Sequence, residues 1–459
     1  MTTPIVTVNV SQLVAPTPSK LQQTGAFISQ GATTTAPGTM SLLTQLSDLT
    51  PIINGALAIT TISWASSVAT VTTTAPHGFT ISDTLLVTIM GTSPVGYTGT
   101  FTVTVTGAST FTYPLVVNPG STSSIGTYTL EDVAELNAMA TTFFAQGTAQ
   151  AVYVLELGPG NAADGVTYLT TWINNTPQFF YAYLVPRAWA SASTFWTMVA
   201  NFEAPTKKTY FFTTMTNTNY TNFTNLMKSV VGLIEAPGIP STEFSLAAAF
   251  WGVLHQLPST TNKVTPFAFD FLFGVTPYPT MGNSALLTTY ANANVNVVGT
   301  GAEGGIAEAI LLYGTAMDGN DFSYWYSVDW VQINVDLNVS NAIINGSNNP
   351  VNPLYYNQPG INVLQSVIAS TMNSAVTFGL ALFPSIQVAL DGPILDTALG
   401  DQDFVGFTIV NAVPFITYSQ ENPSDYKIGR YAGFSVIYTP SRGFRNIVFN
   451  LIVSQFVIT

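Results

Sequence analysis

Apolar and polar positions change their period several times along this chain of 459 residues, and each change marks a boundary. In residues 4–11, Val6, Val8 and Val10 alternate with Thr7, Asn9 and Ser11, the period of a strand with one apolar face. Pro16 and Pro18 follow, so residues 1–20 read as an N-terminal arm. Residues 21–56 mix short elements around an apolar stretch at 39–54. From 57 to 129, short runs rich in Thr, Ser and Val (69–73, 85–89, 100–105, 109–113) sit between Gly and Pro turns, which predicts a small inserted all-β sandwich or barrel. From Thr129 the spacing becomes helical, with Val133, Leu136, Met139, Ala140, Phe143 and Phe144 on one face. Thr129 and Asp132 resemble a capping box there, and Gly147 is placed to stop the helix. Helices near 164–174, 193–203, 220–228 and 242–257 then interleave with strands at 151–157, 179–185, 209–215 and 230–234. That alternation predicts βαβ units and a largely parallel sheet running to about residue 300.

The remainder is less regular. Residues 329–343 satisfy both a strand and a helix pattern, because Val331, Val335, Val339 and Ile343 also recur every fourth position. Asn345–Pro353 reads as a polar loop, and Ile361, Leu364, Ile368, Met372 and Ala375 mark a helix. Extended runs at 404–418, 431–438 and 444–459, joined by turns at 422–425 and 440–443, predict an antiparallel meander. In the last run Ile447, Phe449, Leu451 and Val453 share one face, and no charge follows Arg445. A strand of sixteen residues spans roughly 50 Å at ~3.3 Å per residue, and a free edge of that kind templates pairing with another chain. The two terminal strands are therefore expected to exchange between subunits through Val6, Val8, Val10, Ile447, Phe449, Leu451 and Val453. The fold class is mixed α+β and multidomain. It comprises the arm (1–20), a first core segment (21–56), the inserted β-domain (57–129), an α/β core segment (130–343) and a C-terminal core segment (344–459) with the meander and terminal strand 444–459.

Charge sharpens this picture. Charged residues make up 7% of the chain, against about 25% in ordinary globular proteins. A compact chain of 48.9 kDa exposes roughly 17,000 Å², which leaves about one charge per 500 Å² and a surface poorly defended against association. The net charge of −13, with only ten basic residues, argues against nucleic-acid binding. With no cysteine there are no disulfides, thiolate zinc sites or cysteine nucleophiles. The N-terminus has no basic-then-apolar leader pattern, and no apolar run approaches ~18 residues, so neither a signal peptide nor membrane insertion is expected. Synthesis and assembly in a cytosol are expected.

Candidate chemistry is sparse. Gly299-Thr300-Gly301-Ala302-Glu303-Gly304 is a literal GxGxxG between a strand-like 294–298 and a helix-like 305–313, the context in which a dinucleotide pyrophosphate meets a helix N-terminus. The acidic residue expected about twenty positions on is Asp318 or Asp321, both in a turn-like stretch, and the glycines also suit a plain tight turn. His77 lies in a Pro-His-Gly turn, and His255 lies in an apolar helix beside Trp251; packing accounts for both, and no GxSxG elbow accompanies them. Asp396, Asp401 and Asp403 lack EF-hand spacing and read as turn acids. Asp318, Asp321 and Asp329 lie among Tyr324, Trp325, Tyr326 and Trp330, an aromatic core edge or a subunit or sugar contact. Glu421, Asp425, Lys427 and Arg430 are candidates for ion pairs within the meander or between subunits. No catalytic, cofactor or metal residue is assigned, and a non-enzymatic role is expected.

Several of these stretches together resemble the contractile bacteriophage tail sheath family. Residues 75–79, 96–101 and 111–113 resemble a small β-domain that recurs in virion proteins. Phe143–Gly147 before Val152-Tyr153-Val154 resembles the helix-to-strand entry of a sheath core. Tyr313–Gly319 followed by Asp329-Trp330-Val331 resembles the stretch before a long sheath helix, which favours a helix at 329–343. Glu421–Tyr426 with Gly429-Arg430-Tyr431 and a terminal strand completes the match. The resemblance implies a subunit of stacked hexameric rings around a tail tube, contracting to drive the tube through the host envelope for genome ejection. Its implied partners are other copies, the tail tube protein, and baseplate and tail terminator proteins, in a virion assembled in the host cytoplasm. It also implies that the β-domain at 57–129 is peripheral. The alternatives are another virion protein (baseplate, shell or adhesion) with the same β-domain and, more remotely, a nucleotide-cofactor enzyme using Gly299–Gly304.

Overall fold

The computed structural model describes residues 20–148, 150–177, 179–223, 227–279, 283–300 and 308–445. They fall into two compact units, one of 21–256, 266–323 and 442–445, the other of 20, 257–265 and 324–441.

The larger unit is built on an eight-stranded sheet. Its first strands are β1 (Gly25–Ser29) and β2 (Met40–Leu43). Six strands then leave the sheet and close a barrel: β3 (Leu57–Ala65), β4 (Val68–Thr73), β5 (Thr84–Met90), β6 (Gly99–Gly107), β7 (Thr110–Pro114) and β8 (Thr127–Leu130), in the order β3-β4-β7-β6-β5-β8. The chain returns through α1 (Glu131–Ala145), β9 (Val152–Glu156), α2 (Ala162–Asn175), β10 (Ala182–Leu184), α3 (Ser193–Val199), β11 (Tyr210–Met215), β12 (Val230–Ile234), α4 (Ser245–Leu254), α5 (Ser284–Asn292), β13 (Asn296–Thr300) and β14 (Ala309–Leu312). The sheet order is β14-β13-β12-β11-β10-β1-β9-β2, parallel from β13 to β9 with an antiparallel strand at each edge.

Both faces of this sheet are covered, so β1, β10, β11 and β12 are buried on every residue and read as largely apolar runs. Successive side chains still go to opposite faces. Phe27 and Phe212 pack against Phe143 of α1 and Phe250 of α4, at ring separations of 5.1–5.9 Å. Ala26, Ile28 and Phe211 join Val166 and Leu169 of α2, Phe195 of α3 and Tyr290 of α5. The barrel alternates instead. Val71, Val87, Ile89, Val103, Val105, Phe111 and Tyr113 point inward, while the threonines between them face outward, which is why its runs look half-polar.

The smaller unit contains most of α6 (Phe322–Ser347), with α7 (Gln358–Thr377), β15 (Ser385–Val388), α8 (Gly392–Gly400), β16 (Thr408–Ala412), α9 (Phe415–Glu421), α10 (Pro423–Ile428) and β17 (Phe434–Ile437). Its sheet is β15-β16-β17, parallel then antiparallel, with α7 packed on it. Gln365 of α7 donates to the carbonyls of Val388 and Val410 at 2.8 Å each, tying the helix to β15 and β16.

The mixed, multidomain α+β architecture with a closed β-barrel matches the class expected from the sequence, and five elements differ in detail. Thr129 does not cap α1: it lies in β8, and Leu130 takes the cap position with no side-chain bond. Where described, the helix expected at 220–228 holds a 3₁₀ turn, Asn219–Asn222, and residues 224–226 lie outside the described residues. The helix expected over 305–313 is, where described, the strand β14, because Ile310 and Leu311 bury against the partner strand β13. The loop expected from Asn345 begins later, since α6 runs to Ser347. The run 404–418 holds a five-residue strand and then α9; Tyr418 is buried and bonded to Asp425 at 2.6 Å, a contact the helical turn allows. The two described runs of the meander, β16 and β17, do pair antiparallel, but two short helices connect them. Pro423 opens α10 at its first turn, and Gly429 closes it with φ +72°. Residues 329–343 are helical throughout, with Tyr326, Trp330 and Asn334 buried at i, i+4, i+8.

Candidate assembly surface

A parallel sheet in this order has a switch point where connections leave in opposite directions, here between the C-terminal ends of β1 and β10. Doubly wound folds bind ligands in the crevice that opens there. In this chain protein side chains fill it. Gln30, directly after β1, accepts the indole N–H of Trp189 at 2.6 Å and donates to the carbonyls of Asn161 at 2.8 Å and Gly160 at 3.3 Å. Both Gln30 and Trp189 are buried. Beside them Glu156, the last residue of β9, accepts five bonds. They come from Ser29 Oγ (2.6 Å), Gly31 N (2.6 Å), Thr33 N (3.1 Å), Thr33 Oγ1 (2.7 Å) and Gly158 N (2.7 Å). Its carboxylate, saturated by donors, ties together the loops after β1 and β9. Gly31 and Gly158 reach it only with φ near +82° and +89°.

Next along the same edge lies the ion cluster of Arg187. Its Nε and Nη2 form a fork on Glu235 (2.5 and 2.9 Å), its backbone N–H donates to Glu135 Oε1 at 2.9 Å, and its guanidinium stacks over Phe244 at 4.2 Å. Burial raises the Glu135 pKa although Arg187 opposes this, and Glu235 adds to the rise. A cavity of about 200 Å³ borders the cluster, lined by Arg187, Thr214, Met215, Glu235 and Tyr278. The fork that would recognise an anion there is already occupied by Glu235.

The sequence candidates resolve as follows. Gly299 and Thr300 end β13, which pairs antiparallel with β14 (Thr300 opposite Ala309). Gly301–Ala307 lie outside the described residues. Asp318 accepts from Asn320, and Asp321 accepts the backbone N–H groups of Ser323 and Gly443. His77 is buried in the barrel, stacked on Phe79 at 4.4 Å, and burial lowers its pKa. His255 caps α4 and stacks on Trp251 at 4.0 Å. Asp396, Asp401 and Asp403 are exposed, and no group of three or more potential metal ligands occurs among the described residues. Asp329 is fully buried on α6. Arg430 lies 4.0 Å from Asp425 within the chain, and Glu421 and Lys427 are exposed. Val6, Val8, Val10, Ile447, Phe449, Leu451 and Val453 lie outside the described residues.

What the smaller unit does present is a short sheet with β15 and β17 as its edge strands. Large apolar side chains stand exposed around the same segments, among them Phe407, Ile416, Tyr426, Ile428 and Ile437. Sequence reasoning missed Gln30, Glu156, Trp189 and Arg187. Only Arg187 carried a signal, as one of ten basic residues, placed just after a predicted strand.

No family model matches the sequence, and no curated protein does. Solved structures match nearly the whole chain. The chain is similar to one in the six-fold symmetrised baseplate of the anti-feeding prophage (11% identity, 99% of this chain and 100% of that one, TM-score 0.52). It is also similar to one in the contracted helical sheath of that prophage (10%, 98% and 99%, 0.50) and to one in its contracted baseplate (11%, 99% and 99%, 0.50). The resemblance to phage-tail-like sheath structures read from the sequence is thus met in three dimensions at the level of the fold. No helix among the described residues is long and apolar enough to cross a membrane.

Proposed function

We propose that this chain is a structural, non-enzymatic subunit of a contractile tail sheath. The observation that carries this reading is the end-to-end match of its fold to a chain of a contracted helical sheath. In the proposed assembly, copies form stacked hexameric rings around a tail tube, anchored on a baseplate and ended by a terminator. Contraction of the stack drives the tube through a host envelope so that the genome is ejected. The particle is a virion or virion-like tail assembled in the host cytoplasm.

Physical arguments support it. A heterologous interface that does not close propagates as a helix, and strand addition gives directional backbone bonds that survive rotation of the bodies they join. The edge strands β15 and β17 offer acceptors, and the terminal strands with Val6, Val8, Val10, Ile447, Phe449, Leu451 and Val453 are the proposed donors. Glu421, Asp425, Lys427 and Arg430, on or beside α10, are proposed to pair across subunits, with Asp425 shared between Arg430 and a neighbour. Electron microscopy of the purified protein tests the proposal: striated tubes are expected, and monomers only would overturn it. Deleting Asn450–Thr459 should abolish long tubes while the fold survives. A second reading, a baseplate component, is favoured by the matches to baseplate chains. It predicts closed rings that never stack, seen in the same images.

A further inference from the structure

Where the barrel meets the sheet unit, two carboxylates face each other. Asp83, in the turn before β5, is 8% exposed, and Asp164 lies in the first turn of α2 within hydrogen-bonding reach of it. Asn161, the N-cap of α2, donates its Nδ2–H to Asp83 Oδ1 at 2.8 Å, while its own oxygen accepts from Ala163 N and Asp164 N. That leaves the Oδ2 atoms of both acids buried without a hydrogen-bond partner. Two ionised carboxylates are acceptors only and cannot bond each other, and a buried polar atom left unpaired costs about 1–3 kcal/mol, more when charged.

We propose that Asp83 and Asp164 share one proton across this joint, forming an acid-stabilised clasp that holds the barrel against the sheet unit. Asp83 carries the proton and donates it to the carboxylate of Asp164. A divalent cation would need six or more oxygens, and this pair supplies two outer oxygens. The charged groups on α1, which packs on β5, are the acids Glu131, Asp132 and Glu135, and no base among them competes for the proton. Glu156 is saturated by its own five donors, and His77 is held toward its neutral form by burial. The Asp83 pKa is raised, first by burial and further by Asp164, against the bond from Asn161. Because the docked state binds the proton more tightly than the open one, clasp stability is complete at acid pH and is lost as pH rises through the raised value.

Hydrogen exchange of the full chain, corrected for intrinsic rates and read at residues 79–84 and 158–164, tests this. Protection in the wild type should fall as pH rises from below the ordinary carboxyl value of 3.8 to pH 8. In Asp83→Asn the amide donates permanently and protection should be flat. Asp164→Asn, whose amide can donate to the Asp83 carboxylate, should reduce the slope and serves if the first variant does not fold. A flat wild-type profile overturns the clasp, and so does an unchanged slope in a folded variant. Recovery of protection at pH 8 on adding millimolar calcium to the wild type would assign a bridging cation and overturn the shared proton.

Discussion

Trp189 donates its indole N–H to the side-chain oxygen of Gln30 at 2.6 Å, at the point where the order of the parallel sheet reverses. This one bond occupies the place where related topologies keep a ligand crevice, so the switch point itself is closed by protein side chains. Trp189→Ala should cost about 3–5 kcal/mol through the cavity it leaves. Trp189→Phe keeps most of the packing but strands the buried Gln30 oxygen, at about 1–3 kcal/mol. Thermal scans by circular dichroism at one fixed rate should rank wild type above Phe above Ala. Equal midpoints would mean that the crevice is not closed by this pair.

Glu156 gathers five donors, and an amide in its place would turn one acceptor into a donor facing donors. Glu156→Gln, nearly isosteric, should therefore destabilise by about 2 kcal/mol or more, because bonds to a charged acceptor are worth ~1.5–3 kcal/mol each. Limited proteolysis should show new cleavage in the loops at 30–39 and 157–161, the segments this carboxylate ties down. A variant as resistant as wild type would show that the loops hold without it.

Arg187 balances Glu235 and Glu135, both largely buried, while its own side chain is about a third open to solvent. Arg187→Ala leaves two acids facing each other. Breaking a buried pair costs about 3–5 kcal/mol, and solvent screening of the guanidinium places this case toward the lower end. Arg187→Lys should recover only part of the loss, since a point charge cannot reproduce the fork on Glu235 or the stacking on Phe244. Full recovery by lysine would reduce the cluster to simple charge neutralisation.

Tyr128 faces the barrel interior, and burial pushes its phenol up to about 12 from an ordinary 10.0. The folded barrel disfavours the phenolate, so the stability this tyrosine contributes is complete below pH 10 and lost as pH rises through 12. The difference in phenolate absorbance between wild type and Tyr128→Phe should appear near pH 12. A difference centred near pH 10 would place the ring in water.

These sites show which parts of the fold could be read from the sequence and which could not. Strands such as Val230–Ile234 and Tyr210–Met215 were legible because burial on both faces leaves an unbroken apolar run. The barrel strands were legible because one wet face forces alternation. β14 was not: four apolar residues after a glycine-rich stretch suit helix or strand equally, and pairing with β13 decides the matter. Thr129 looked like a cap because local chemistry favours it there, yet strand pairing in β8 claims it first. Gln30 and Trp189 are 159 residues apart in sequence and meet only because the sheet brings β1 beside β10. No local pattern announces such a contact.

The barrel can be tested as a removable part. It leaves the sheet unit at Leu57 and returns at Leu130, and Leu57 and Ala58 pair antiparallel with Tyr128 and Thr127, so entry and exit lie side by side. Paired residues on adjacent antiparallel strands are about 4.5–5.5 Å apart, a gap that a short flexible linker closes without straining residue 56 or the start of α1. Replacing residues 57–129 with such a linker should leave a folded chain, because no strand of the eight-stranded sheet is lost. Two losses are expected: the bond from Asn161 to Asp83 disappears, and Leu130 and Val133 lose the barrel interior they pack against. The second should lower solubility more than stability, and substituting both by polar residues should restore it. The measurement is far-UV circular dichroism together with electron microscopy: a folded chain that still builds tubes makes 57–129 a peripheral domain. An unfolded chain would mean that the barrel is part of the core.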